Sequence, residues 1–104
     1  MASRLARVHS WEHLAHKSNF KPSLMAAHCH VSLRQLQRYF LTNHGIPPGK
    51  WSRAVRIRQA KVLISQGWSD KAVAHELGFS NSAHLCNEFR KAFAATPQAF
   101  APGA

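Results

Sequence analysis

The sequence predicts an all-α fold of about seven helices, built as two helix-turn-helix subdomains joined by a long linker helix. Three features predict it. Apolar residues recur at helical spacing along almost the whole chain, while sustained alternation and Asn-Gly or Asp-Gly hairpin turns are absent. Capping serines and helix-ending glycines punctuate that spacing: Ser32 and Ser69 open helices, and Gly45, Gly67 and Gly78 close them. One arrangement also occurs twice. Ala26 precedes Leu36 by ten residues and Phe40 by fourteen; Ala74 precedes Leu85 by eleven and Phe89 by fifteen. In each copy a small residue lets two helices cross closely, a tight turn follows, and Leu-x-x-x-Phe lines the buried face of the second helix.

A first helix is expected near 4–17, with Leu5, Val8, Trp11, Leu14 and Ala15 as its apolar stripe. A second follows near 22–29, where Pro22 suits the first turn because no N–H is needed there. A third starts after Ser32, which forms a capping-box pair with Gln35, and Gly45 closes it. After Pro47 a long helix runs from 48 to about 66, with Trp51, Ala54, Val55, Ile57, Ala60, Leu63 and Ile64 inside and Gly67 at its end. Ser69 caps a fifth helix near 70–77, with Ala72, Val73, Ala74 and Leu77. Gly78 turns the chain, and Asn81 or Ser80 caps a sixth helix near 81–94, with Leu85, Phe89 and Phe93 inward. Thr96 and Pro97 open a last short turn, and residues 101–104 are expected to fray. The implied division is 1–46 for the first subdomain, 47–67 for the linker helix and 68–104 for the second subdomain.

Charge narrows the function classes. Fourteen Lys and Arg face four acids, a formal net charge of +10. Residues 1–62 hold eleven of the bases and only Glu12; residues 63–104 hold Lys71, Arg90 and Lys91 against Asp70, Glu76 and Glu88. Such a field draws polyanions, nucleic acid above all. A membrane-surface role is disfavoured, because no helix joins a wide apolar face to a lysine-rich one. So is an enzyme: the four acids are scattered and form no nucleophile–base constellation. No run reaches the ~18 apolar residues of a membrane span, and the first fifteen residues lack the apolar stretch of a signal peptide. Cys29 and Cys86 are unpatterned and are expected as reduced thiols in a cytosol.

The stretch "SLRQLQRYF", residues 32–40, concentrates the polar signal. On a helix, Arg34, Gln37 and Arg38 stand at i, i+3 and i+4 and share one face, opposite an oily face of Leu33, Leu36 and Phe40. Arginine reads guanine by a two-pronged bond to O6 and N7, and glutamine reads adenine similarly. The second helix of a helix-turn-helix presents such side chains to the major groove. Ser32, at the helix start, suits a backbone phosphate.

These residues carry a family resemblance. "VSLRQLQRYF", "GIPPGKW", "VRIRQAKVLI", "AHELGFSNSAHLCNEFRKAF" and "TPQAF", in that order, resemble the DNA-binding domain of AraC/XylS-type transcriptional regulators over about residues 4–100. The resemblance implies a homeodomain-like pair of helix-turn-helix units on a rigid linker helix. Its implied base readers are Arg34, Gln37 and Arg38 in the first unit and Ser82, Ala83, Cys86 and Asn87 in the second. Phosphate contacts are expected from Ser23, Ser32, Lys50 and Arg53, and from Lys71, Ser80, Asn81 and Arg90. Double-stranded DNA is the expected partner, RNA polymerase a further one. The family usually pairs this domain with a ligand-sensing or dimerising partner, so the chain is expected either as a stand-alone regulator or as a piece of a longer one. The chain alone is expected as a monomer, without cofactor, in the bacterial cytoplasm at the nucleoid.

The sequence also departs from the family pattern. Asn87 stands where arginine is usual, Ala94 where glycine is usual, and Ala101 where an arginine commonly follows the terminal aromatic. Pro47 replaces a serine before the linker-helix proline and removes a side-chain cap. Three of the four departures lie in the neutral second part, so the first unit is expected to dominate binding, with Cys86 or Ala83 against a thymine methyl in the second. The alternative is non-specific RNA or nucleoid binding on the same charge.

Other candidate chemistry is weaker. His9, His13 and His16 have metal-compatible helical spacing but no arranged carboxylate or cysteine, so surface histidines are expected. Cys29 occupies an apolar slot and reads as a buried thiol. Cys86 is expected to face outward, with Arg90 one turn on as the one group able to lower its pKa. Trp51 is expected in core and helix-junction packing, and Trp68 over the linker helix.

Overall fold

The structure, a computed structural model, describes Leu5, Val8 and residues 10–103. Among these residues the fold is all-helical: α1 (Trp11–Lys17), α2 (Pro22–His28), α3 (Leu33–Asn43), α4 (Pro48–Ser65), α5 (Asp70–Leu77), α6 (Ser82–Phe93) and a 3-10 turn (Pro97–Phe100). Two helix-turn-helix pairs, α2–α3 and α5–α6, flank α4 in the sequence. The chain divides into two compact units, Met1–Val55 and Arg56–Ala104, so the boundary falls within α4.

In the first unit the first helix starts later than its apolar stripe suggested. Ser10 is extended, with φ −139°, and its hydroxyl accepts from the His13 amide at 3.1 Å. That side-chain cap satisfies a helix-end donor and marks the start at Trp11. Residues 4, 6, 7 and 9 of the expected helix lie outside the described residues. α2 begins on Pro22 as its ring geometry favours, and ends at Cys29, which is half-buried at the C-cap. The core of the unit is Leu5, Ala15, Phe20, Met25, Ala26, Leu36, Phe40 and Val55. Phe40 is its centre. Trp11 meets it edge-on at 4.9 Å, Trp51 at 5.2 Å, and His44 stacks on it at 4.5 Å. Trp51 thus packs at the helix junction, as its position predicts.

The second unit has the same plan with different filling. Ile57, Ala60, Ile64, Val73, Ala74, Leu77, Phe79, Leu85 and Phe89 are buried. Phe89 packs against Phe93 at 4.7 Å and Phe100 at 5.5 Å, which draws the 3-10 turn onto α6. The Lys61 ammonium lies 5.0 Å from the Phe93 ring and 4.8 Å from that of Phe100, and the Arg56 guanidinium lies 4.3 Å from Phe79. Both side chains cover apolar surface with a cation attracted to the ring face. Residues 101–103 form a bend and turn rather than the expected frayed tail. Pro102 sits 3.9 Å from where a Cβ on Gly67 would stand. Trp68 is exposed at the end of α4, its amide donating to the Leu63 carbonyl at 3.1 Å.

α4 corrects the expectation of one apolar stripe. Ala54 is exposed, and Ser52 is fully buried, its hydroxyl donating to the Met25 sulfur at 3.4 Å. Buried positions run 48, 52 and 55 at steps of four and three, then 57, 60 and 64 at steps of three and four. The step of two between Val55 and Ile57 breaks the helical register. It coincides with the division of the chain. Ala72 on α5 is likewise exposed, outside the Val73, Ala74 and Leu77 cluster. Pro47 accepts the first intrahelical bond of α4 from the Trp51 amide at 3.0 Å, and its ring offers no capping oxygen.

Candidate nucleic-acid interface

The start of α3 is set by a reciprocal cap. The Gln35 amide donates to the Ser32 hydroxyl at 3.1 Å, and the Ser32 amide donates to Gln35 Oε1 at 2.8 Å. Two orphan donors of the first turn are satisfied at once. With the start fixed and with Leu36 and Phe40 fully buried, the rotation of α3 is fixed too. Arg34, Gln37 and Arg38 are then all exposed. None of the three side chains has a hydrogen bond or ion pair with any described residue. Leu33 does not join the oily face expected of it: at the first position of α3 it is 40% exposed. Arg38 also borders a groove of about 300 Å3 with Leu5, Val31, Gln35, Tyr39 and Thr42. Leu41, not singled out by the sequence reading, is exposed on the face of Arg34 and Arg38. Its signal was available: it stands at i+3 from Arg38.

Around α3 the proposed phosphate partners of the first unit are exposed: Ser23 in the first turn of α2, and Lys50 and Arg53 in the first turns of α4. In the second unit Lys71, Ser80, Asn81 and Arg90 are exposed as well. Asn81, and not Ser80, caps α6: its Oδ1 accepts from the His84 amide at 2.8 Å. The Ser80 amide donates to His84 Nδ1 at 3.1 Å.

α6 presents a different face. Ala83 and Asn87 are exposed, and Ser82 is half-buried at the first position. Cys86, expected to face outward, is half-buried and aimed at the N-terminus of α5, its thiol donating to Asp70 Oδ2 at 3.8 Å. Burial and then the Asp70 carboxylate push the thiol pKa up, against the smaller opposite pull of Arg90. A thiol held protonated is a poor nucleophile. Cys29 is likewise pushed up by burial. Glu88 and Lys91 pair at 3.6 Å on the surface. Among the described residues no group of three or more His, Cys, Asp or Glu could hold a metal ion, and no helix is long and apolar enough to cross a membrane. His9 lies outside the described residues. His16 packs against the Phe20 ring at 5.8 Å.

A family model described as a helix-turn-helix domain matches residues 25–102, three quarters of the chain, from within α2 to beyond α6. A solved structure described as a transcriptional regulator of the AraC-type DNA-binding domain-containing proteins, from Chromobacterium violaceum, is similar with TM-score 0.73 and 27% identity. It covers 85% of this chain and 82% of that one. This chain belongs to the AraC-type helix-turn-helix family.

Two further AraC-type likenesses bear on the site. The DNA-binding domain of AdpA, described as a global transcriptional factor and solved in complex with a target DNA, matches with TM-score 0.77 and 28% identity. The match covers 95% of this chain and 90% of that one. The HTH-type transcriptional regulator RipA of Corynebacterium glutamicum is 37% identical over 73 residues, 70% of this chain and 22% of that protein. The chain spans about a quarter of the length of the curated relatives it matches. Against the family pattern, Ala94 has a visible cost. It ends α6 in the left-handed region, with φ 55°, where glycine is at ease and a Cβ is strained.

Proposed function

We propose that the chain reads double-stranded DNA sequence-specifically, as the DNA-binding part of an AraC-type transcription regulator. The observation that carries this reading is the outer face of α3. Two guanidinium groups and an amide stand exposed, unengaged by any described residue, on a capped helix whose opposite face is locked in the core. Arg34 and Arg38 fork onto guanine O6 and N7, and Gln37 pairs with adenine N6 and N7. Ser23, Ser32, Lys50 and Arg53 take backbone phosphates, which position the helix without carrying sequence information. In the second unit Ser82, Ala83 and Asn87 face the bases, and Cys86 reaches one only by releasing Asp70. Lys71, Ser80, Asn81 and Arg90 take phosphates there.

The first unit dominates. Counted by the structural division, residues 1–55 hold eight Lys and Arg against Glu12, and residues 56–104 hold six against three acids. The imbalance is milder than the sequence halves suggested, because Arg56, Arg58 and Lys61 belong to the second unit. It keeps the same sign. The AdpA domain solved on a target DNA supports a duplex partner for so similar a fold.

Selection of binding sites from random duplexes tests the reading. The expected result is a motif about two helical turns long. Equal retention of cognate and random DNA points instead to non-specific binding and overturns sequence reading. Salt gives an independent check. With about six phosphates neutralised, log K falls against log salt with a slope near −5. A flat response excludes phosphate-led binding.

A further inference from the structure

Leu41 is 55% exposed on the third turn of α3. Single exposed leucines are common on soluble proteins and need no explanation. This one differs by its company. Arg34, Gln37, Arg38 and Leu41 stand at i, i+3, i+4 and i+7, one continuous strip of the helix surface. Leu36 and Phe40, on the opposite side, are fully buried, so the core is complete without Leu41.

A strip of two guanidinium groups, an amide and an isobutyl group matches a mixed surface. Each residue of a helix rises 1.5 Å, so Leu41 lies about 4.5 Å beyond Arg38 and about 10.5 Å beyond Arg34 along the axis. Those distances are about one and three base-pair steps of 3.4 Å. In the major groove three of the four bases show only donors and acceptors; thymine alone adds an apolar group, its C5-methyl.

We propose that Leu41 is a further specificity-determining residue, packing on the C5-methyl of a thymine next to the base pair read by Arg38. The proposal rests on the DNA-reading function proposed for α3. It is particular to the first unit: in the repeat, the position matching Leu41 is Arg90, which is exposed and charged. α3 therefore combines polar and apolar readout, and α6 offers a cation at the equivalent place.

Replacing thymine by uracil removes only the methyl and leaves pairing and groove hydrogen bonds intact. The experiment takes the motif recovered by selection, replaces each thymine by uracil in turn, and measures Kd by fluorescence anisotropy for the intact chain and for Leu41→Ala. At one thymine adjoining the Arg38-dependent position, the unaltered chain should lose about three- to tenfold in affinity. At that position Leu41→Ala should bind the thymine and uracil duplexes equally, while Arg38→Ala keeps the discrimination. A motif with no methyl-sensitive thymine overturns the proposal and leaves the DNA-reading function standing. So does Leu41→Ala that discriminates as well as the unaltered chain. Failure to recover any motif overturns the DNA-reading function itself, and the proposal with it.

Discussion

The two helix-turn-helix pairs share a scaffold and differ in what they display. In the first, the Val31 amide donates to the Ala26 carbonyl at 3.1 Å across a left-handed residue, His30, with φ 56°. In the second, the Phe79 amide donates to the Ala74 carbonyl at 2.9 Å across Gly78, with φ 77°. These are the same helix-ending bond, with an apolar residue tucked in after it. The second turn then holds one extra residue, Ser80, before its cap Asn81. That explains why Ala74 precedes Leu85 by eleven residues while Ala26 precedes Leu36 by ten. The insertion is accommodated because His84 accepts the extra amide. Beyond the turn, Leu36 and Phe40 match Leu85 and Phe89, all fully buried. The matching outer positions diverge: exposed Arg34, Gln37, Arg38 and Leu41 against exposed Ala83, Asn87 and Arg90 and a half-buried Cys86. Packing constrains one face of each second helix and leaves the other free to change. A duplicated fold can therefore carry two unequal binding surfaces.

That comparison can be broken at its scaffold first. Phe40→Ala and Phe89→Ala should each destabilise the protein by ~3–5 kcal/mol, since each leaves a cavity at the centre of its own unit. Denaturant melts check this, and a loss below ~1 kcal/mol at either site would end the equivalence. The display surfaces come next. Arg38→Ala should cost ~1–3 kcal/mol in binding to the selected motif and relax its sequence preference. Asn87→Ala should cost clearly less, and equal losses in titration would refute the asymmetry. The helix ends give a smaller effect of opposite sign. Gly78→Ala should cost ~1–2 kcal/mol and Ala94→Gly should gain up to ~1 kcal/mol, both read from melting curves, because each position holds a positive φ. Least of all, Glu88→Ala should shift stability by no more than ~0.5 kcal/mol, since its partner Lys91 is 76% exposed and the pair is screened by water.

Helix starts and stops were legible residue by residue. The Ser32–Gln35 box, the Ser69 and Asn81 caps and the left-handed Gly78 are all where their chemistry predicts. So were the outward positions of Arg34, Gln37 and Arg38, which follow once the cap and the Leu-x-x-x-Phe face are known. Each depends on a bond or a spacing within a few residues. The Ser10 cap is masked in the sequence because the apolar stripe runs past it. Residues assigned by periodicity alone fared worse: Leu33, Ala54 and Ala72 match an apolar pattern and still face outward.

Three features needed the folded chain. Ser52 is buried because Met25, 27 positions away, covers it; Cys86 turns from the outer face because Asp70, 16 positions away, accepts its thiol. The apolar register of α4 breaks between Val55 and Ile57, where the chain passes from one packed unit to the other. A cap is a contact between near neighbours and can be read from their order. Burial is a contact with whatever lies opposite, and the chain must fold before that partner is known.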